Sequence, residues 1–131
     1  MNEQALKGRT AVVCGGAGEV GAGITAGLLR SGAQVVVPSR RAERLHALAD
    51  ELTELGADPA GLVPVVGDLS AGDTQARALA DAAVEHAGPI DLVVAALGGW
   101  DSGPPLADMP LDQWEASVHD GLRAHHLAMH A

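Results

Sequence analysis

The stretch Val12-Val13-Cys14-Gly15-Gly16-Ala17-Gly18-Glu19-Val20-Gly21-Ala22-Gly23 constrains this chain more than any other part of it. An apolar run from Ala11 to Val13 passes straight into glycines, and a helical pattern follows. Within the stretch, Gly16, Gly18 and Gly21 fit G-x-G-x-x-G in the context it requires, with a strand before and a helix after. The spacing has a chemical reason. One glycine permits the tight turn, the next lets a pyrophosphate approach bare backbone, and the third lets the helix pack closely on its strand. The helix N-terminus then presents unpaired N–H groups to the phosphates. The motif predicts dinucleotide binding; a purely structural turn is the competing account.

Composition narrows the partners. The chain has 131 residues, 17 acidic and 8 basic, for a net charge of −9, whereas a nucleic-acid ligand needs a basic face. There is no Phe or Tyr and there are two Trp, so the core is expected to be Val, Leu, Ile and Ala. The first residues, Met1-Asn2-Glu3-Gln4, carry no basic-plus-apolar leader pattern, and no apolar run reaches membrane-spanning length. One cysteine leaves no internal disulfide. These features predict a cytoplasmic chain forming one domain over residues 1–131, with neither a nucleic-acid nor a membrane partner.

Four apolar, β-branched runs stand out: Ala11–Val13, Gln34–Val37, Leu62–Val66 and Asp91–Ala95. Apolar runs without alternation read as strands covered on both faces, as in a parallel sheet. Helix-length segments with helical spacing lie between them. Val20, Ile24 and Leu28 mark the first; Leu45, Leu48, Leu52 and Leu55 the second; Leu79, Ala83 and Val84 the third. Gly32, Gly56 and Gly88 stand where a helix C-cap is expected, and Ser70 with Asp73 reads as a capping box opening the third helix. The alternation predicts an α/β fold of Rossmann type, a doubly wound parallel sheet of about four strands with flanking helices. Residues from Gly98 to Pro110 read as loop, and a last helix begins near Leu111 or Asp112 and is still running at Ala131. Such an ending leaves a sheet edge uncovered, which predicts a larger whole or a partner.

The chain resembles the short-chain dehydrogenase/reductase family over essentially its whole length, though over only about the N-terminal half of that family's usual fold. Leu6-Lys7-Gly8-Arg9 leads into the first strand as in family members. Cys14-Gly15-Gly16-Ala17-Gly18-Glu19-Val20-Gly21 stands at the family's T-G-x-x-x-G-x-G. Gly67-Asp68-Leu69 follows the third strand, where the Asp and its apolar neighbour meet the adenine. Ala95-Ala96-Leu97-Gly98 takes the N-N-A-G position beside the nicotinamide ribose. The resemblance thus implies cofactor contacts from Gly15, Gly16, Gly18, Glu19, Val20, Gly21, Asp68, Leu69, Ala95, Ala96, Leu97 and Gly98. It implies hydride transfer between a nicotinamide and a small carbonyl or alcohol substrate, with possible self-association into a homo-oligomer.

The departures matter equally. Cys14 replaces the usual Thr, and Glu19 replaces the middle glycine, setting a carboxylate near a pyrophosphate. Both asparagines of N-N-A-G are Ala, and aligning Val118-His119-Asp120-Gly121-Leu122 puts Gly121 at the family's catalytic Asn. The Tyr of Y-x-x-x-K is missing, because the chain has no tyrosine. This segment therefore supplies no proton relay and is expected to be inactive alone. A non-catalytic NAD(P)-binding module or subunit is the alternative reading.

In this fold the end of the second strand selects the cofactor: a carboxylate pairs with a ribose 2′-OH, an Arg with a 2′-phosphate. Here Ser39 takes the acidic position, and Arg40 and Arg41 follow. A charged contact worth about 1.5–3 kcal/mol predicts roughly a tenfold to hundredfold preference for NADP over NAD. The bland account is two arginines opening a solvated helix. His126 and His130 have an i, i+4 spacing that zinc uses, and Glu115 and His119 fall near the same face, but a solvated face is the simpler reading and no metal is expected. Cys14, at the end of a buried strand, reads as a packing residue rather than a reactive thiol. Trp100 reads equally as a pocket wall or as cover for the sheet edge.

Overall fold

The computed structural model describes residues 5–98 and 103–131. Four strands form one parallel sheet: β1 (Thr10–Cys14), β2 (Gln34–Ser39), β3 (Leu62–Val66) and β4 (Leu92–Ala95), in the order β3-β2-β1-β4. Register is set by pairs such as Val12 with Val36, Cys14 with Ala95, and Ser39 with Val66. Strand periodicity sends neighbouring residues of one apolar run to opposite faces. Val13, Val35 and Val37 enter one core, and Val12, Cys14 and Val36 enter the other.

Helices α1 (Glu19–Arg30) and α2 (Ala42–Glu54) cover the first face, with Leu45, Leu48 and Leu52 buried. Helix α3 (Asp73–Ala87) covers the second through Leu79 and Ala83. After it, α4 (Leu111–Val118) passes through a π turn (His119–Arg123) into α5 (Ala124–His130). Helix α5 sinks Ala124 and Leu127 into the body of the fold. Gly32, Gly56 and Gly88 all follow helix ends with positive φ, as expected of C-caps.

Several expectations need correction. Val20 does not mark the buried stripe of α1: it is 74% exposed, and Gly21, Ala22, Thr25 and Ala26 are buried instead. A helix lying this close to its sheet is seated through its small residues. Leu55 lies past α2 as its C-cap, and Val84 faces outward on α3. Burial on both faces holds for β1 and the core of β2 but not for the outer strands, where Val66, Leu92 and Val93 are exposed. Ser70 does not cap α3. Gly72 stands at that N-cap, and Ser70 belongs to a short 3-10 turn (Leu69–Ala71) capped by Asp68. Trp100 lies outside the described residues.

Candidate functional site

A cleft of about 600 Å³ opens where the C-terminal ends of the strands meet the loops that follow them. The β1–α1 loop forms one wall. Gly15 turns with φ +83°, and a Cβ there would lie 2.1 Å from the Ala96 carbonyl oxygen. The positive-φ turn thus falls on Gly15 rather than on Gly16. Gly16 is packed against the Val37 side chain, and a Cβ on it would meet Val13 O at 2.9 Å. Gly21 seats α1 on the loop, since a Cβ there would stand 2.0 Å from Gly15 O. Gly18 is the N-cap of α1 and brings no side chain to it. The first-turn amides of α1, which no helix can satisfy internally, therefore stay available at the cleft.

Ser39, Arg40 and Arg41 form the opposite wall where β2 gives way to α2. The Ser39 hydroxyl is engaged in a local turn, accepting from Arg41 N at 3.3 Å. Both arginines are exposed, and no carboxylate occupies the end of β2. Asp68 and Leu69 bound the cleft after β3. The Asp68 carboxylate accepts from the Ser70 hydroxyl at 2.6 Å and from Ser70 N at 2.9 Å. That hydroxyl bond holds Asp68 below its ordinary pKa, and the charge of Arg40 acts in the same direction. Leu97 and Gly98 line the far end after β4, with Gly98 at φ +106°.

Of the sequence-predicted residues, Gly15, Gly18, Glu19, Ser39, Arg40, Arg41, Asp68, Leu69, Leu97 and Gly98 are brought together around this one cleft. Gly16, Val20, Gly21, Ala95 and Ala96 do not line it: Gly16 and Gly21 shape its loop, Ala96 backs Gly15, and Val20 points to solvent. Cys14 sits at the floor, where burial pushes its thiol up to about 11. Sequence reasoning missed Arg44, Ser70 and Ala124, which also line the cleft. The Asp68-x-Ser70 spacing was a readable turn signal. Arg44 and Ala124 arrive by tertiary placement and left no local sign.

The His126 and His130 rings stack at 5.3 Å, and His130 Nε2 lies 3.7 Å from Asp73 Oδ1. Among the described residues, no three of His, Cys, Asp and Glu gather as a metal site. No helix among them is long and apolar enough to cross a membrane.

A model of the family described as short chain dehydrogenase matches residues 9–131. Among curated proteins, 3beta-hydroxysteroid dehydrogenase 2 of Eggerthella lenta is 37% identical over 110 residues, covering 84% of this chain and 41% of that protein. A short chain dehydrogenase/reductase of Colletotrichum higginsianum is 33% identical over 114 residues, covering 87% of this chain and 41% of that protein. Among solved structures, a short chain dehydrogenase from Mycobacterium smegmatis superposes with a TM-score of 0.82 at 28% identity, covering 97% of this chain and 51% of that one. The chain thus spans about two fifths of the length of these two curated relatives and about half of that solved structure.

Proposed function

We propose that this chain, which belongs to the short-chain dehydrogenase family, carries the NADP(H)-binding part of an oxidoreductase acting on a small carbonyl or alcohol substrate. The observation that carries the reading is the pairing of walls across one cleft. A glycine loop and a helix N-terminus without a side-chain cap stand on one side, and two exposed arginines stand on the other, with no carboxylate at the end of β2. The fit rests on shape as well as charge. Cβ atoms at Gly15 or Gly21 would run into backbone, so the loop is built bare where a pyrophosphate would approach.

In this reading the first-turn amides of α1 and the Gly15–Gly18 backbone bind the pyrophosphate. Arg40 and Arg41 take the 2′-phosphate, and Asp68 with Leu69 bounds the adenine end. Gly16 and Gly21 hold the loop's shape, Ala96 backs it, and Leu97 and Gly98 flank the nicotinamide end. A bound nicotinamide supplies or accepts the hydride. Among its own residues the chain offers binding and orientation rather than a proton relay. Burial of the lone Cys14 suits a reducing, cytoplasmic setting, and exposed Leu111, Trp114 and Leu122 suit self-association. A second reading, a non-catalytic NAD(P)-binding module, draws on Gly121, which stands where the resemblance puts the catalytic Asn.

The test is a pair of dissociation constants. NADPH is expected to bind roughly tenfold to a hundredfold more tightly than NADH, and Arg40→Ala with Arg41→Ala to abolish the difference. Equal affinities in the unsubstituted chain would overturn the NADP assignment.

A further inference from the structure

We propose that Arg44 is a positioning residue for the dinucleotide. Its guanidinium ties the glycine loop to α2, so that the loop meeting the pyrophosphate and the arginines meeting the 2′-phosphate are held as one unit. The inference rests on the reading above for its ligand.

Arg44 stands in the first turn of α2, three residues after Arg41, which is that helix's N-cap. From there Nη2 donates to the carbonyl oxygen of Ala17, in the loop between β1 and α1. Nη1 lies 3.4 Å from Glu51 Oε1, two turns further along α2. The Arg44 side chain is 34% exposed and so partly buried, whereas Arg40 and Arg41 are exposed. A planar guanidinium suits this bridge because it donates in two fixed directions at once, which an ammonium on a flexible stem does not. Its engagement with a carbonyl and a carboxylate separates Arg44 from its two open neighbours. Those neighbours are placed to meet an incoming anion, and Arg44 is placed to hold the frame.

The loop needs such a hold. From Gly15 to Gly18 it contains three glycines and one alanine, so it has almost no side chains with which to anchor itself. Its own amides make backbone bonds from Gly16 N to Val13 O of β1 and from Gly18 N to Gly15 O. Glycine-rich backbone loses the most conformational freedom on ordering. Ordering it beforehand removes that cost from the binding step. The latch therefore acts on every ligand that uses the loop, whether or not it carries a 2′-phosphate.

The experiment uses the full chain with Arg44→Met and Arg44→Lys, titrated with NADPH, NADH and 2′-AMP, the last having no pyrophosphate. Amide hydrogen exchange over residues 15–18 is followed without nucleotide. Arg44→Met is expected to weaken NADPH and NADH by the same factor, roughly tenfold, and to leave 2′-AMP unchanged. Exchange in the loop should quicken, and Arg44→Lys should fall between. Loss of NADPH and 2′-AMP with NADH unaffected would overturn the proposal and make Arg44 a phosphate ligand. Unchanged binding and exchange would overturn it as well. If the unsubstituted chain binds NADPH and NADH equally, the 2′-phosphate reading fails, while parallel losses in Arg44→Met still uphold the latch. Should Arg44→Met fail to fold, Arg44→Lys carries the same comparison at smaller amplitude.

Discussion

Two glycines, two residues apart on α1, are expected to respond in opposite directions to the same substitution. Both lie in the helix with ordinary helical backbone, so replacing either by Ala should gain about 1 kcal/mol of helix propensity. At Gly23 nothing lies within 4 Å of the added Cβ, and that gain stands alone. At Gly21 the added Cβ would stand 2.0 Å from Gly15 O and 2.7 Å from Gly15 C and Gly16 Cα. All three are backbone atoms and cannot rotate aside, so helix and loop must separate by about an ångström or more. Overpacking of this kind costs about 1–3 kcal/mol. The propensity term cancels between the two variants, so their difference isolates the contact at about 1–3 kcal/mol. With a urea slope of about 1–2 kcal/mol/M, the midpoints should separate by about 1 M, Gly23→Ala above the parent and Gly21→Ala below it. Gly21→Ala should also lose NADPH affinity, because the displaced atoms belong to the loop, while Gly23→Ala should keep it. Coincident midpoints would refute the close approach of α1 to the loop and the role assigned to Gly21.

Three further outcomes follow from single side chains. Thr25 is fully buried and its Oγ1 has no hydrogen-bond partner among the described residues, so Thr25→Val should stabilise by about 1 kcal/mol, read from urea midpoints; a loss would mean that the hydroxyl is satisfied. The Asp91 carboxyl is held below its ordinary pKa by Thr10 N–H at 2.9 Å and by Arg9 at 2.6 Å, tying the start of β1 to the start of β4. A depressed folded-state pKa contributes stability above the ordinary carboxylate range, and that stability fades as pH falls through the folded value. Asp91→Asn should therefore be less stable than the parent at pH 7 and lose less on acidification, whereas parallel urea-midpoint profiles from pH 7 to pH 3 would discount the pair. Glu19 lines the cleft beside the loop, and two unit charges about 4 Å apart in water interact by about 1 kcal/mol. Glu19→Gln should tighten NADPH and NADH alike, by up to about fivefold in dissociation constant; an effect on NADPH alone would place Glu19 near the 2′-phosphate instead.

Much of the fold was legible because it is written in short-range patterns. The run Leu62–Val66 is β3 to the residue, and glycines after the first three helices all adopt the positive φ that ends a helix. The errors have physical causes too. Helical periodicity points Val20 and Val84 inward because it weighs bulk, yet both are exposed. A helix in near-contact with its sheet instead turns inward the residues that take least room, as Gly21, Ala22 and Ala26 do on α1. The spacing of Ser70 to Asp73 is right for a cap. Asp68, two residues earlier, captures both its N–H and its hydroxyl, and a local bond of that kind outcompetes a helix start three residues on.

The cleft divides along the same line. Gly15, Ser39, Arg40, Asp68 and Leu97 could be named because each closes a strand or lies within two residues of its end, and a parallel sheet brings strand ends to one edge whatever their separation in sequence. Arg44 could not, because its partner Ala17 is reached by a long side chain crossing from the first turn of α2 to the β1–α1 loop, which no spacing rule encodes. The two kinds of residue also divide the work. Bare backbone leaves room at the strand ends, and the arginines of the β2–α2 turn supply a local positive field in a chain whose net charge is −9. Because exposed charges beyond about 10 Å are largely screened at 0.1 M salt, these nearby groups, rather than the overall acidity, set what the cleft attracts.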